Sequence, residues 1–239
     1  MDINKLNYID YGVNKKGVIV LLHGWSQNIE MMNMLGEPFK DEYRVIVLDL
    51  PGFGKSSEPD DGINITDFAN VLHELLVKLK VENPIIIGHS VGGRIGIMYA
   101  SMYKVKKLVL LSSPFRPSKK SKGLKVRLFK IAKKFKCLKG LANYLKKKWG
   151  STDYNNASDV MRKTLVKVVN QDLTEDALKI KCPTLLIYGD KDTETRITEA
   201  YELEKLIKDS GLVKYDGCGH YAYLERLKQT ISVLKVFLG

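Results

Sequence analysis

Pro84-Ile85-Ile86-Ile87-Gly88-His89-Ser90-Val91-Gly92-Gly93 carries an apolar run straight into a glycine-flanked serine, and a helix-like pattern continues to Tyr103. Three consecutive isoleucines without polar alternation read as a strand buried on both faces. A strand that passes at once into a helix bends sharply. The residue at the bend is forced into a strained backbone, and its neighbours must lack side chains that would clash. Gly-x-Ser-x-Gly meets that demand. The bend lifts the Ser90 hydroxyl out of the sheet and leaves the Val91 N–H at a helix N-terminus facing the same space, where an oxyanion can be held. A glycine-rich connection with an incidental serine is the competing reading, and the position directly behind a buried strand counts against it.

Similar apolar runs flank this stretch at residues 17–22, 43–48, 107–111 and 183–188, with a shorter one at 212–215. Helical patterns lie between them. Phe68, Leu72, Leu75, Leu76 and Leu79 recur at spacings of three and four after a Thr66-Asp67 cap signal. Tyr201, Leu203, Leu206 and Ile207, then Leu224, Leu227, Ile231, Leu234 and Val236, predict two later helices. Strands alternating with helices give an α/β fold, a mostly parallel doubly wound sheet. Residues 114–181 interrupt the alternation with helical patterns alone, among them Leu124, Leu128, Ile131, Phe135, Leu138, Ala142, Leu145 and Trp149. An insertion of that kind between two core strands predicts a helical cap. The organisation expected is therefore a core of residues 1–113 and 182–239 with a basic helical cap at 114–181.

The chain has 239 residues, 44% hydrophobic and 28% charged, which excludes a disordered, collagenous or membrane-spanning protein. Its net charge of +12 belongs to one segment: residues 114–150 hold fourteen Lys and Arg and no Asp or Glu. Three readings of that segment stand side by side. It can cover the site while its lysines face water, attract an anionic substrate, or lie on an anionic membrane through Phe129, Phe135 and Trp149. A dedicated nucleic-acid module is not expected, because interleaved aromatics and a matching fold signature are missing. Cys137, Cys182 and Cys218 are sparse and far apart, which argues against a disulfide framework or a zinc site. The first residues carry an early acid and no apolar run, and no run approaches the ~18 residues that span a bilayer. A cytoplasmic protein is expected.

A serine nucleophile needs a base. Of His23, His73, His89 and His220, only His220 fits the order serine, acid, histidine that this bend requires. It sits in a glycine-rich turn after the short run at 212–215, and loops at the C-terminal ends of strands are where open α/β sheets hold ligands. The acid should end another strand, and Gly189-Asp190-Lys191-Asp192 offers two carboxylates that spacing alone does not separate. Two lookalikes fail. A dinucleotide fingerprint needs glycine where Ser90 stands, and a P-loop ending at Gly54-Lys55-Ser56 needs glycine where Asp49 stands. Met31, Met32 and Met34 read as gap-filling core, and Cys218 as a small buried or loop residue.

Taken together, His23-Gly24-Trp25, Asp49-Leu50-Pro51-Gly52-Phe53-Gly54-Lys55-Ser56, Gly88-His89-Ser90-Val91-Gly92-Gly93, Gly189-Asp190-Lys191-Asp192 and Gly219-His220 resemble the α/β-hydrolase superfamily, in its order and across nearly the whole chain. The resemblance implies a capped, carboxylesterase- or lipase-like serine hydrolase. It implies that the acid is Asp192, three residues beyond Gly189, and that the Trp25 N–H joins Val91 in the oxyanion hole. It makes residues 49–56 a structural turn. Relatives often carry a proline shortly after the acid, and residues 193–197 have none. The implied chemistry cleaves an ester-like small molecule through an acyl-enzyme and needs no metal or organic cofactor. A C–C bond hydrolase, a cofactor-free perhydrolase, or a low-turnover small-molecule receptor on the same fold are the alternatives. Dehalogenases and epoxide hydrolases are disfavoured because they resemble this fold but place aspartate where Ser90 stands.

Overall fold

The computed structural model describes residues 2–117 and 152–239. Seven strands form one sheet: β1 (Tyr8–Gly12), β2 (Val18–Leu22), β3 (Arg44–Leu48), β4 (Ile85–His89), β5 (Lys107–Leu111), β6 (Thr184–Gly189) and β7 (Ser210–Tyr215). Their spatial order is β1-β3-β2-β4-β5-β6-β7, with β1 antiparallel to β3 and every other pair parallel. Six of the seven lie where the apolar runs predict them.

The physical reason is two-sided burial. Successive side chains of a strand point to opposite faces. Val20, Leu22, Ile86, Leu108 and Leu110 therefore pack on one side, while Ile19, Leu21, Ile87, Val109 and Leu111 pack on the other. The first face is covered by α2 (Ile65–Lys78) and α3 (Val91–Met102) through Phe68, Leu72, Leu76, Ile95 and Met98. The second is covered by α1 (Ile29–Gly36) through Met32 and Leu35, and by the C-terminal helix through Leu234 and Leu238. Strand β1 escaped the sequence reading because it is an edge strand with no buried residue, so it carries no continuous apolar run.

Helix ends also differ from expectation in detail. Helix α2 is capped by Asn64, not at Thr66-Asp67: the Asn64 side chain accepts from the Asp67 N–H while the Asp67 carboxylate accepts from the Asn64 N–H. Asp67 thus serves as the third residue of a reciprocal cap. The last apolar stretch breaks at Arg226 into α8 (Ala222–Glu225) and α9 (Leu227–Leu238). Val236, counted on its apolar stripe, is 86% exposed, because the face that meets the sheet is set by Thr230, Leu234 and Leu238. Among the methionines, Met32 fills the core as expected, whereas Met34 faces solvent.

Between β5 and β6 the described residues form α4 (Thr152–Asn156), α5 (Asp159–Asn170) and α6 (Thr174–Ala177), followed after β6 by α7 (Ile197–Leu206). Most of the basic segment, including Leu124, Leu128, Ile131, Phe135, Leu138 and Trp149, lies outside the described residues. Helix α5 is fastened along the chain that leads from β3 to α2. Ser158 donates to Glu58, Lys163 pairs with Asp61, the Ile63 N–H donates to Thr164, and Lys167 donates to the Gly62 carbonyl. Gln171 then reaches over the start of α2, accepting from the Ile65 N–H and donating to Thr66 Oγ1.

The strand order fixes where a site can form. From β2 the chain steps to β3 on one side and then crosses to β4 on the other, so the chain order reverses between β2 and β4, and the carboxyl edge at such a reversal is where open α/β sheets hold ligands. Trp25 follows β2, Ser90 follows β4, Asp192 follows β6 and His220 follows β7, all on that edge. Among the described residues, no helix is long and apolar enough to cross a membrane.

Candidate active site

The turn at Ser90 has the geometry its sequence demands. Ser90 adopts φ 51° and ψ −113°, a strained backbone for a residue with a side chain, of the kind that costs about 1–3 kcal/mol and persists only where surroundings enforce it. Enforcement is visible on both sides. The Ser90 N–H donates to the Leu111 carbonyl of β5, and the Ser90 carbonyl accepts from the N–H groups of Gly93 and Arg94, 3.1 Å each. A side chain at Gly88 would strike the Gly92 carbonyl, and one at Gly92 would strike the carbonyls of Leu22 and His23. The glycines are needed for close approach of backbone to backbone.

That bend leaves Ser90 Oγ without a hydrogen-bond partner among the described residues. The Val91 N–H at the start of α3, and the Trp25 N–H in the turn after β2, are likewise unengaged among the described residues. Gly92 presses against the β2 end, so the two turns are held in contact.

His23 holds the Trp25 turn. Its Nε2 accepts from the Leu50 N–H at 2.9 Å, which places the ring proton on Nδ1, donated to the Gly24 carbonyl at 2.7 Å. Leu50 is the second residue of the turn at 49–56, and the Asp49 carboxylate stitches that turn together by accepting from Ile29 N–H, Lys55 N–H and Asn7 Nδ2. Gly54, at φ 55°, lies where a side chain would collide with that carboxylate. Residues 49–56 behave as the structural turn expected of them. Phe53 from the same turn packs edge-on against Trp25, ring centroids 4.8 Å apart.

In the loop after β6 the two candidate acids are separated by their partners. Asp192 Oδ2 lies 2.8 Å from His220 Nδ1, and Asp192 Oδ1 accepts from the N–H groups of Glu194 and Thr195. Asp190 instead accepts from the Gly217 N–H and staples the two loops. Those two backbone bonds shape the acid loop where relatives often carry proline. Burial pushes the Asp192 carboxyl up, but the His220 hydrogen bond, the imidazole's charge and the two N–H donors outweigh it and hold the carboxyl below its usual range. Asp192 is thus an anion throughout the physiological pH range.

His220 Nε2, the nitrogen left free by Asp192, faces Glu194 Oε2 at 3.5 Å. Glu194 is the contact that the sequence reading missed, and the absent proline is the one local signal that the loop runs differently here. The His220 ring stands 4.9 Å from that of His89, the residue before Ser90, so His220 and Ser90 lie on adjoining segments. Cys218, in the same loop two residues before His220, is buried, as expected of it.

Two buried imidazoles make stability depend on pH. Burial pushes His23 from 6.5 down to about 4 and His89 down to about 3, the latter aided by the charge of His220. Unfolded histidines bind protons at a higher pH than these folded ones, so their contribution is complete above about 6.5 and is lost as pH falls towards the folded values. Two such groups give a slope approaching ~2–3 kcal/mol per pH unit between about pH 6 and 4. Urea melts at pH 7, 6 and 5 are expected to show steeply falling midpoints with unchanged m-values. A flat midpoint across that range would contradict neutral burial of both rings.

The family profile described as alpha/beta hydrolase fold matches residues 17–157. The chain is 30% identical over 243 residues to the AB hydrolase superfamily protein YisY of Bacillus subtilis (strain 168), covering 92% of this chain and 90% of that one. It is 27% identical to Lipase 1 of Psychrobacter immobilis, covering 98% of this chain and 80% of the lipase. The solved structure of the esterase EaEST from Exiguobacterium antarcticum superposes with a TM-score of 0.76 over 98% of this chain and 95% of the esterase, at 23% identity, a likeness of fold.

Proposed function

Since the chain belongs to the α/β-hydrolase family, we propose that it hydrolyses a carboxylic ester or related acyl compound through an acyl-enzyme on Ser90. The observation that carries this reading is the oriented imidazole: a buried carboxylate 2.8 Å from His220 Nδ1 keeps the proton there and makes Nε2 the basic nitrogen. The likeness to a lipase over nearly the whole chain supports the same chemistry.

In the proposed reaction His220 Nε2 exchanges Glu194 for Ser90 Oγ and takes its proton as the oxygen attacks the acyl carbon. The N–H groups of Val91 and Trp25 hold the oxyanion of the tetrahedral intermediate, and losing one such donor typically costs about 10²–10³ in rate. Asp192 balances the imidazolium. His220 then protonates the departing alcohol, and water, activated by the same nitrogen, releases the acid and restores the serine. Residues 114–181 are assigned as the cap over this edge. Supporting this, Ser26, beside Trp25, donates to Asp153 of α4 at 3.3 Å, and Met161 of α5 packs on Gly52.

The test is a series of p-nitrophenyl esters of graded chain length together with a fluorophosphonate label. Turnover of at least one ester and a single adduct on the peptide containing Ser90 are expected. Folded protein that takes no label at Ser90 refutes the reading.

A further inference from the structure

His89 is fully buried at the end of β4, yet it is a polar ring set between the two loops that the proposed chemistry needs. Its Nδ1 lies 3.3 Å from Gln27 Oε1, and that oxygen also accepts from the Gly24 N–H at 2.9 Å. Its Nε2 lies 3.1 Å from the backbone carbonyl of His220. The remaining faces are packed by the rings of His220, Tyr221 and Tyr223, with centroids 4.9–5.3 Å away. A side chain on Gly24 would meet His89 Nδ1, so the turn that carries Trp25 rests directly against this ring. One side chain therefore touches the turn that presents the Trp25 N–H and the loop that presents the His220 imidazole.

We infer that His89 is a positioning residue that fixes the base loop relative to the oxyanion turn, through its contacts with the His220 carbonyl and with Gln27. The inference rests on the ester-hydrolase reading and adds to it a residue outside the nucleophile, base and acid. A neutral imidazole carries one N–H, and burial keeps this ring neutral. The shorter contact, to the His220 carbonyl, takes that proton, and Gln27 closes the other side by packing and by holding Gly24. Without the ring, the His220 loop loses a donor to its backbone and a wall against its imidazole. A displacement of about 1 Å at a reacting group is enough to cost ~10²-fold in rate.

The experiment compares wild type with His89→Leu, His89→Gln and Gln27→Ala on the best p-nitrophenyl ester, with thermal melts of each. His89→Leu is expected to lower kcat ~30–100-fold with KM within about twofold, and to weaken binding of an aryl boronic acid, a tetrahedral mimic, by a similar factor. His89→Gln, which keeps an N–H at reach of the carbonyl, is expected to recover most of the loss. Gln27→Ala, on a less buried side chain, lowers kcat several-fold, and adding it to His89→Leu costs less than the sum of the two in free energy, since both cut the same link. A His89→Leu or Gln27→Ala protein that is folded and keeps wild-type kcat and boronate affinity overturns the inference while leaving the hydrolase reading intact. Glutamine that restores the melting temperature but not kcat also overturns it, as that marks a purely structural role. A wild type that neither turns over esters nor takes the fluorophosphonate label removes both.

Discussion

Alanine in place of Ser90 is expected to lower kcat for the best ester by about 10⁴–10⁶-fold and to abolish fluorophosphonate labelling, with the melting temperature preserved or raised. The size follows from the geometry. Ser90 Oγ has no hydrogen bond to lose among the described residues, so the fold loses nothing when the oxygen is removed. The strained φ of 51° remains, because it is imposed by the Leu111 carbonyl, by the start of α3, and by backbone approach at Gly88 and Gly92. The surviving activity would be that of an oxyanion hole acting on water, which explains why the expected loss is large but finite. The measurement is steady-state hydrolysis with intact-mass analysis after labelling. A variant within tenfold of wild type would show that the bend is architecture alone.

Asn in place of Asp192 is expected to lower kcat by about 10³–10⁴-fold, again with little change in fold. Asparagine is nearly the same shape, and its carbonyl oxygen can keep the N–H groups of Glu194 and Thr195 that Asp192 Oδ1 accepts now. Its NH₂ then faces His220 Nδ1, forces that nitrogen to accept, and puts the ring proton on Nε2, where the base must be bare. Asp190→Asn is the control. Among the described residues the Asp190 side chain accepts a hydrogen bond from the Gly217 N–H alone, and its loss is expected to change kcat less than about threefold. The pH dependence of stability gives a second readout of Asp192. The depressed folded-state value at Asp192 stabilises the native state above the unfolded carboxylate range, and that contribution vanishes on acidification through the folded value. Asp192→Asn therefore flattens the acid end of the stability curve. Equal losses in kcat from the two asparagine variants would refute the assignment of Asp192.

Much of this site was legible in the chain. Ser90 could be found because a strained bend restricts the positions two before and two after it to glycine, and His220 because chain order left no other histidine. The family resemblance singled out Asp192, where spacing alone left Asp190 open. What the sequence hid was whatever depends on pairs distant along it. Strand β1 is half-buried and pairs by its backbone, so its residues leave no apolar signature. The contacts of His89 with Gln27 and His220 join segments 62 and 131 positions apart. Glu194 beside His220 Nε2 reflects a loop path of which the missing proline at 193–197 is the one local sign, and that sign does not name the partner.

Sequence by itself determined six of the seven strands, the bend and the set of chemical groups at the carboxyl edge. Those follow from local rules, in which a doubly buried strand must be apolar throughout and a bend this tight must be flanked by glycine. Only the tertiary structure decided which carboxylate meets the imidazole, how the Trp25 turn is held, and what stands between the two loops. Those outcomes are set by close approach of backbones and by the placing of single ring protons, which depend on distances of a few tenths of an ångström between residues the chain keeps far apart.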